Sequence, residues 1–181
     1  MSLLICFSGQ IGSGKSSVSE AVAKALRCQR TSFGDYLRSE VIRLGGDPNA
    51  RQTLQDLGQR RVDDDPMTFC RHVLTAGGFE PGADFVIDGI RHVRIFEILA
   101  RVSLPSEARL LFLGAPDETR ITRVETRTDA HDFERASTHR VEAELRQALP
   151  QLADGVVNAD QPLNHVVTEC LTLIASWKTA R

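Results

Sequence analysis

One run of this chain has residue types and spacing that point directly to chemistry: Gly9-Gln10-Ile11-Gly12-Ser13-Gly14-Lys15-Ser16. It is a complete Gly-x-x-x-x-Gly-Lys-Ser phosphate cradle, the Walker A pattern. The glycines let successive backbone N–H groups turn toward phosphate oxygens without a Cβ in the way. Lys15 places a cation at the β- and γ-phosphates, and Ser16 offers a hydroxyl to Mg2+. Gly9, Gly12, Ser13, Gly14, Lys15, Ser16 and Ser17 are therefore the expected nucleotide-binding residues, with ATP as phosphoryl donor and magnesium as the metal. A second candidate is Asp88, which closes the apolar run Phe85-Val86-Ile87. It can hold magnesium directly or through water, or it can be an ordinary strand-end carboxylate. The third candidate is a set of arginines. Phosphoryl transfer asks for positioning and for neutralisation of spread negative charge, which a planar guanidinium fork supplies. Arg120, Arg123 and Arg127 fall at i, i+3 and i+7 on one helical face. That face is either part of a phosphate clamp, which Arg140 could complete, or a solvated surface paired to Glu125 or Asp117.

These residues need a scaffold, and the apolar pattern supplies one. Short apolar runs alternate with longer amphipathic stretches, which predicts βαβ units around a parallel sheet. Strands are expected at Leu3–Ser8, near Cys28–Ser32, and at Phe85–Asp88, Arg109–Gly114 and Val156–Val157. Helices are expected from Lys15, with apolar positions at Val18, Ala21, Val22, Ala25 and Leu26, and from Asp35, read as a cap, through Leu44. Further helices are expected over Ala50–Val62, Pro66–Ala76 (capped by Asp65), Val93–Arg101, Asp117–Thr128, Glu134–Leu149 and Leu163–Trp177. The predicted fold is α/β: a doubly wound parallel sheet of about five strands with helices on both faces, the P-loop NTPase fold. Ligands of such sheets gather at the carboxyl ends of the strands, where the cradle and Asp88 both lie.

The bulk properties narrow the partners. The chain has 181 residues, enough for one α/β domain with a buried core. A formal net charge of −2 gives no basic field, so small-molecule nucleotides fit better than nucleic acid. No apolar run approaches the roughly 20 residues that span a bilayer. The apolar start lacks the basic segment of a secretion signal. Cys6, Cys28, Cys70 and Cys170 are scattered and read as reduced thiols of a cytoplasmic protein. The five histidines lack metal-ligand spacing and read as surface or hydrogen-bonded residues, Asp63-Asp64-Asp65 reads as a solvated cap sooner than a cation site, and Trp177 reads as core packing. No guanine-reading Asn/Thr-Lys-x-Asp element and no Leu-Ser-Gly-Gly-Gln run is present, and the length does not suit an AAA+ ATPase with its helical lid domain. A small kinase remains.

Two more motifs carry a resemblance. Ser32-Phe33-Gly34-Asp35-Tyr36-Leu37-Arg38 looks like the Ser-Thr-Gly-Asp-Met-Leu-Arg of the P-loop nucleotide kinases typified by adenylate kinase, and Val86-Ile87-Asp88-Gly89-Ile90-Arg91 looks like their Leu-Asp-Gly-Phe-Pro-Arg. The resemblance covers about Leu3 to Arg140. It implies that Arg38 and Arg91 bind the acceptor's phosphate and that Arg123 and Arg127 match the Arg-x-x-x-Arg pair that contacts the transferring phosphates. It also implies that residues 35–78 form a mobile acceptor-binding subdomain of the single domain, and that 117–140 form a short lid. Two departures stand out: no proline follows Ile90, and the glutamine that reads adenine in that family is absent after Arg91. Ala153-Asp154-Gly155-Val156-Val157-Asn158 is also similar to the dephospho-coenzyme A kinase branch. Asp35 keeps two roles: helix cap, or neighbour of the acceptor and general base if that acceptor is a hydroxyl. The leading expectation is transfer of the ATP γ-phosphate to a nucleoside or deoxynucleoside monophosphate. The alternatives are a kinase of a hydroxyl-bearing metabolite and a nucleotide-sensing module.

Overall fold

The computed structural model describes residues 1–125 and 144–179. In chain order the elements are β1 (Leu3–Gly9), α1 (Lys15–Leu26), β2 (Gln29–Ser32), α2 (Phe33–Arg43), α3 (Arg51–Asp64) and α4 (Pro66–Ala76). Then come β3 (Phe85–Ile90), α5 (Val93–Val102), β4 (Glu107–Gly114), α6 (Asp117–Glu125), α7 (Ala148–Leu152), β5 (Gly155–Asn158) and α8 (Leu163–Thr179). The five strands form one all-parallel sheet in the order β2-β3-β1-β4-β5. Order reverses across β1, so a crevice opens at its carboxyl end between β1 and β3.

β1 lies at the centre and is buried on both faces, which its unbroken apolar run requires. Its side chains alternate. Leu4 and Cys6 join a core with α2, α4 and α5, while Leu3, Ile5 and Phe7 join a second core with α1 and α8. Each such side chain contributes roughly 1.5–3 kcal/mol by leaving water. Trp177 packs against the second core. Asp84 ties the start of this arrangement together: it accepts from the Leu3 N–H at 2.9 Å and pairs with Lys178 near the end of α8.

Several helix boundaries differ from the sequence expectation. Ser32, not Asp35, caps α2: its Oγ accepts the Asp35 N–H at 3.2 Å, which puts Asp35 inside the first turn. Both residue types serve as caps, and the extended backbone of Ser32 decides between them. At α4 the expected pair holds, with Asp65 accepting the Thr68 N–H at 3.0 Å and Pro66 opening the helix. The helix expected over Glu134–Leu149 does not reach Leu149 unbroken. Residues 144–146 are helical, the chain turns at Gln147, and α7 then runs on to Leu152. The expected end of the preceding helix at Thr128 lies outside the described residues.

Candidate active site

The cradle follows β1 directly, and its shape is locked from behind. Gly12 has φ +82, and a Cβ there would stand 2.5 Å from the Arg120 carbonyl oxygen, so only glycine fits. Gly14, also left-handed at φ +83, precedes α1 and lets its first N–H groups face the crevice. Arg120 is 3% exposed. Its guanidinium donates to the Ile11 carbonyl at 3.0 Å and to Asp117 Oδ1 at 2.6 Å. The alternative of a solvated Arg120 is therefore wrong, and its hydrogen bonds bind the loop rather than facing outward as a clamp. Its hydrogen bond and positive charge hold the Asp117 carboxyl below the ordinary carboxylate range.

Ser16 and Asp88 meet across the crevice. Ser16 Oγ donates to Asp88 Oδ2 at 2.8 Å. The other carboxylate oxygen, Asp88 Oδ1, is buried with no hydrogen-bond partner among the described residues. A buried anionic oxygen beside a serine hydroxyl and next to Lys15 is a donor set that suits a hard cation such as magnesium. Among the described residues there is no group of three or more His, Cys, Asp or Glu that could hold a metal by itself. Magnesium at this point would share its shell with phosphate oxygens.

Arg30 is a site residue that the sequence did not single out. It projects from β2 to donate to Asp88 Oδ2 at 3.2 Å and to Ser19 Oγ at 2.9 Å, and it lies 3.7 Å from Asp35. It thus links the strand-end carboxylate to the first turn of α2. The edge-strand sequence Gln-Arg-Thr-Ser carries no periodic signal, and its facing follows only from the pairing of Ser32 with Asp88.

Two cavities flank the cradle, and Gly12 lines both. The first, of about 230 Å³, is lined by Lys15, Ser16 and Asp88, by Arg38 and Arg91, and by apolar Leu37, Leu54, Val62, Phe69 and Ile95 among others. Asp35 is not among its lining residues. The Asp35 carboxylate is exposed and accepts from Arg38 Nη1 at 2.8 Å. His92 lines this cavity and bonds through Nδ1 to Glu144 at 3.0 Å, while the other Glu144 oxygen accepts the Val93 N–H at 2.9 Å. The second cavity, of about 310 Å³, is bounded by Ser13, Gly14, Ser17, Arg123, Ala159 and Gln161 among others. Arg123 donates to the Ala159 carbonyl at 2.9 Å and lies against Gly14. Gly9 ends β1, outside both linings. Ala159 and Gln161, on the loop between β5 and α8, had no motif to announce them. Arg127 and Arg140 lie outside the described residues, as does most of the expected lid.

Comparison with known proteins fits this geometry. The AAA-domain family profile matches residues 5–147. The chain belongs to the AAA-domain family. The match spans the cradle, the Asp88 strand and α6, and after it α7, β5 and α8 complete the same sheet and its second core. The match concerns the P-loop unit itself, not a separate helical lid domain. A UPF0200 protein of Aeropyrum pernix (strain ATCC 700893 / DSM 11879 / JCM 9820 / NBRC 100138 / K1) is 33% identical over 131 residues, 67% of this chain. The chain spans 63% of that relative's length. Among solved structures, a gluconokinase from Sinorhizobium meliloti 1021 superposes with a TM-score of 0.58 at 22% identity, covering 97% of this chain and 93% of its own. A shikimate kinase from Aquifex aeolicus vf5 gives 0.62 at 17% identity, covering 98% and 99%. At such identities the likeness is one of fold, and that fold is the P-loop kinase fold.

Proposed function

We propose that this AAA-domain protein is an ATP-dependent phosphotransferase whose acceptor is a nucleoside or deoxynucleoside monophosphate. The observation that carries the reading is the polarity of the first cavity. Its lining brings Lys15, Ser16, Arg38 and Arg91, which can take a phosphate, together with apolar Leu37, Leu54, Val62, Phe69 and Ile95, which suit a flat base. In this reading the adenosine of ATP lies toward the second cavity, and the acceptor occupies the first. An oxygen of the acceptor phosphate attacks the γ-phosphorus, the bond to the β–γ bridging oxygen breaks, and ADP leaves. No proton has to be removed, so no general base is needed. Lys15 neutralises the transferring group, with Arg123 in the same role from α6 and Arg127 joining it as the resemblance implies. Bound magnesium would add charge neutralisation on the β- and γ-phosphates, and Ser16 Oγ and Asp88 Oδ1 are the groups that would hold it. Transfer should then stop in excess chelator and return with added magnesium. The segment 35–78 acts as the acceptor-binding subdomain. α3 packs mainly on α2 and α4 rather than on the sheet, which supports its movement on acceptor binding. No helix among the described residues is long and apolar enough to cross a membrane. Four free thiols suit the reducing cytoplasm.

One observation favours a second reading, a hydroxyl acceptor. His92, oriented by Glu144 in the wall of the first cavity, is built like a general base. The deciding experiment is turnover with ATP and magnesium against a panel of nucleoside and deoxynucleoside monophosphates, set beside shikimate, gluconate and dephospho-coenzyme A. Transfer to a monophosphate supports the proposal. Transfer to hydroxyl acceptors alone overturns it, and nucleotide binding without any turnover points to a sensing module.

A further inference from the structure

The wall that α3 gives the first cavity is not wholly apolar. α3 presents one face to it, with Arg51, Leu54, Gln55, Gly58, Gln59 and Val62 recurring at helical spacing. Three polar side-chain atoms on that face are buried, Arg51 Nη1, Gln55 Nε2, a donor, and Gln59 Oε1, an acceptor, and the two amide atoms have no hydrogen-bond partner among the described residues. Gln59 Nε2 donates to Asp63 Oδ1 at 2.9 Å, one turn further along the helix, and this leaves its carbonyl as the unmet atom. Gly58, between them on the same face, has no side chain, and a Cβ there would meet Leu37 at 3.1 Å. The wall is therefore an amide donor and an amide acceptor one turn apart, set beside a side-chain-free step and backed by apolar groups.

Leaving two buried amide atoms unmet is costly, and a bound molecule carrying the complementary acceptor and donor would remove that cost. Glutamine amides meet base edges in this way because the hydrogen-bonding edge of a base carries both kinds of group in one plane. A sugar acid's carboxylate would find Arg51 one turn before Gln55 on this face, but its hydroxyls do not present a donor and an acceptor in one plane to the two amides. We propose that Gln55 and Gln59 determine acceptor specificity: they read the hydrogen-bonding edge of a nucleobase, with Gln59 accepting from the base and Gln55 donating to it. This inference rests on the monophosphate reading above and assigns the base contact that the missing glutamine after Arg91 leaves open.

The test is binding, measured calorimetrically without ATP, of nucleoside monophosphates and of ribose 5-phosphate, which keeps the phosphate and sugar but has no base. The proteins are the wild type, Gln55→Leu, Gln59→Leu and Gln55→Glu. The two leucine variants keep an α-helical residue of similar bulk, and circular dichroism checks the fold. Each should weaken the preferred monophosphate by about 10- to 100-fold, the scale of a lost buried hydrogen bond, and leave ribose 5-phosphate unchanged. Gln55→Glu exchanges the donor for an acceptor and should lose at least as much. If the wild type binds monophosphates and the leucine variants bind them equally well, the amide reading falls while the proposed function stands. If they lose monophosphate and ribose 5-phosphate alike, the glutamines shape the helix and not the specificity, which also overturns it. If the wild type binds no monophosphate, both readings fall together. Should Gln55→Leu fail to fold, Gln59→Leu and Gln55→Glu carry the same comparison.

Discussion

At the scale of single residues, Lys15 is committed to charge, not packing. It sits on the first turn of α1 at the mouth of the acceptor cavity and belongs to neither apolar core. Lys15→Ala should keep its melting temperature and lose about 10²-fold or more in kcat, the scale for removing one preorganised charge-stabilising donor. Near-normal turnover by the folded variant would refute the kinase reading. Arg120 does the opposite kind of work: it holds the cradle from behind through the Ile11 carbonyl and is itself held by Asp117. Arg120→Met should weaken nucleotide binding and lower the melting temperature by several degrees, since hydrogen bonds to a buried charge contribute about 1.5–3 kcal/mol. An unchanged melting curve would remove Arg120 from this role. The pH dependence follows from the depressed Asp117 carboxyl. A depressed folded value means that the stabilisation is fully present above the unfolded value, near the ordinary 3.8, and is lost as pH falls through the lowered one. Melting temperatures taken from about pH 6 to about pH 3 should therefore fall less steeply in Asp117→Asn than in the wild type. Equal slopes would mean the carboxyl adds nothing to the loop's support.

At the scale of elements, α2 separates the two acceptor chemistries. Asp35 lies outside the cavity and holds Arg38 by an exposed ion pair, so in the proposed function its contribution is orientation of that arginine. With a monophosphate acceptor, Arg38→Ala and Arg91→Ala should raise the acceptor KM strongly and leave the ATP KM nearly unchanged, while Asp35→Asn is mild. Steady-state kinetics with both substrates varied will show the order. A collapse of kcat by about 10²–10⁴ in His92→Gln, with Arg38→Ala unaffected, would mean a lost general base and a hydroxyl acceptor. How much of this the sequence allowed depends on the range of the signal. The strands and the Asp65-Pro66 start of α4 are local patterns, and they were legible to within a residue or two. The sheet's alternation between two cores follows from β1 alone once it is taken as central. What depends on tertiary placement was not legible. The i, i+3, i+7 spacing of Arg120, Arg123 and Arg127 says they share a face, but not that Arg120 turns inward against Gly12 while Arg123 borders the second cavity. Arg30 depends on which strand lies beside β2, and Gln55 and Gln59 look like any polar positions of a surface helix until α3 is laid over α2 and α4.

At the scale of the whole molecule, the thiols report on how closed the cores are. Burial pushes Cys70 and Cys170 up to about 12 and raises Cys6 well above the ordinary thiol value, whereas Cys28 is only partly covered. A thiol titrating near 12 has roughly 10³-fold less thiolate near neutrality than an ordinary one, and thiolate is the reactive form. Native protein treated with iodoacetamide should modify Cys28 alone, and denaturant should release the other three. Native labelling of Cys70 or Cys170, read by mass spectrometry, would show a core more open than described. The central position of β1 also has a consequence for biosynthesis. Leu4 pairs with Phe85 and with Ala108, so the strand leaves the ribosome roughly 80 to 100 residues before either neighbour. At about 5–20 residues per second, its apolar run waits several seconds or more with no strand to pair with it. The Gly-rich loop hangs from this strand, so in the proposed function the nascent chain gains no stability from ATP until β4 has been made and docked.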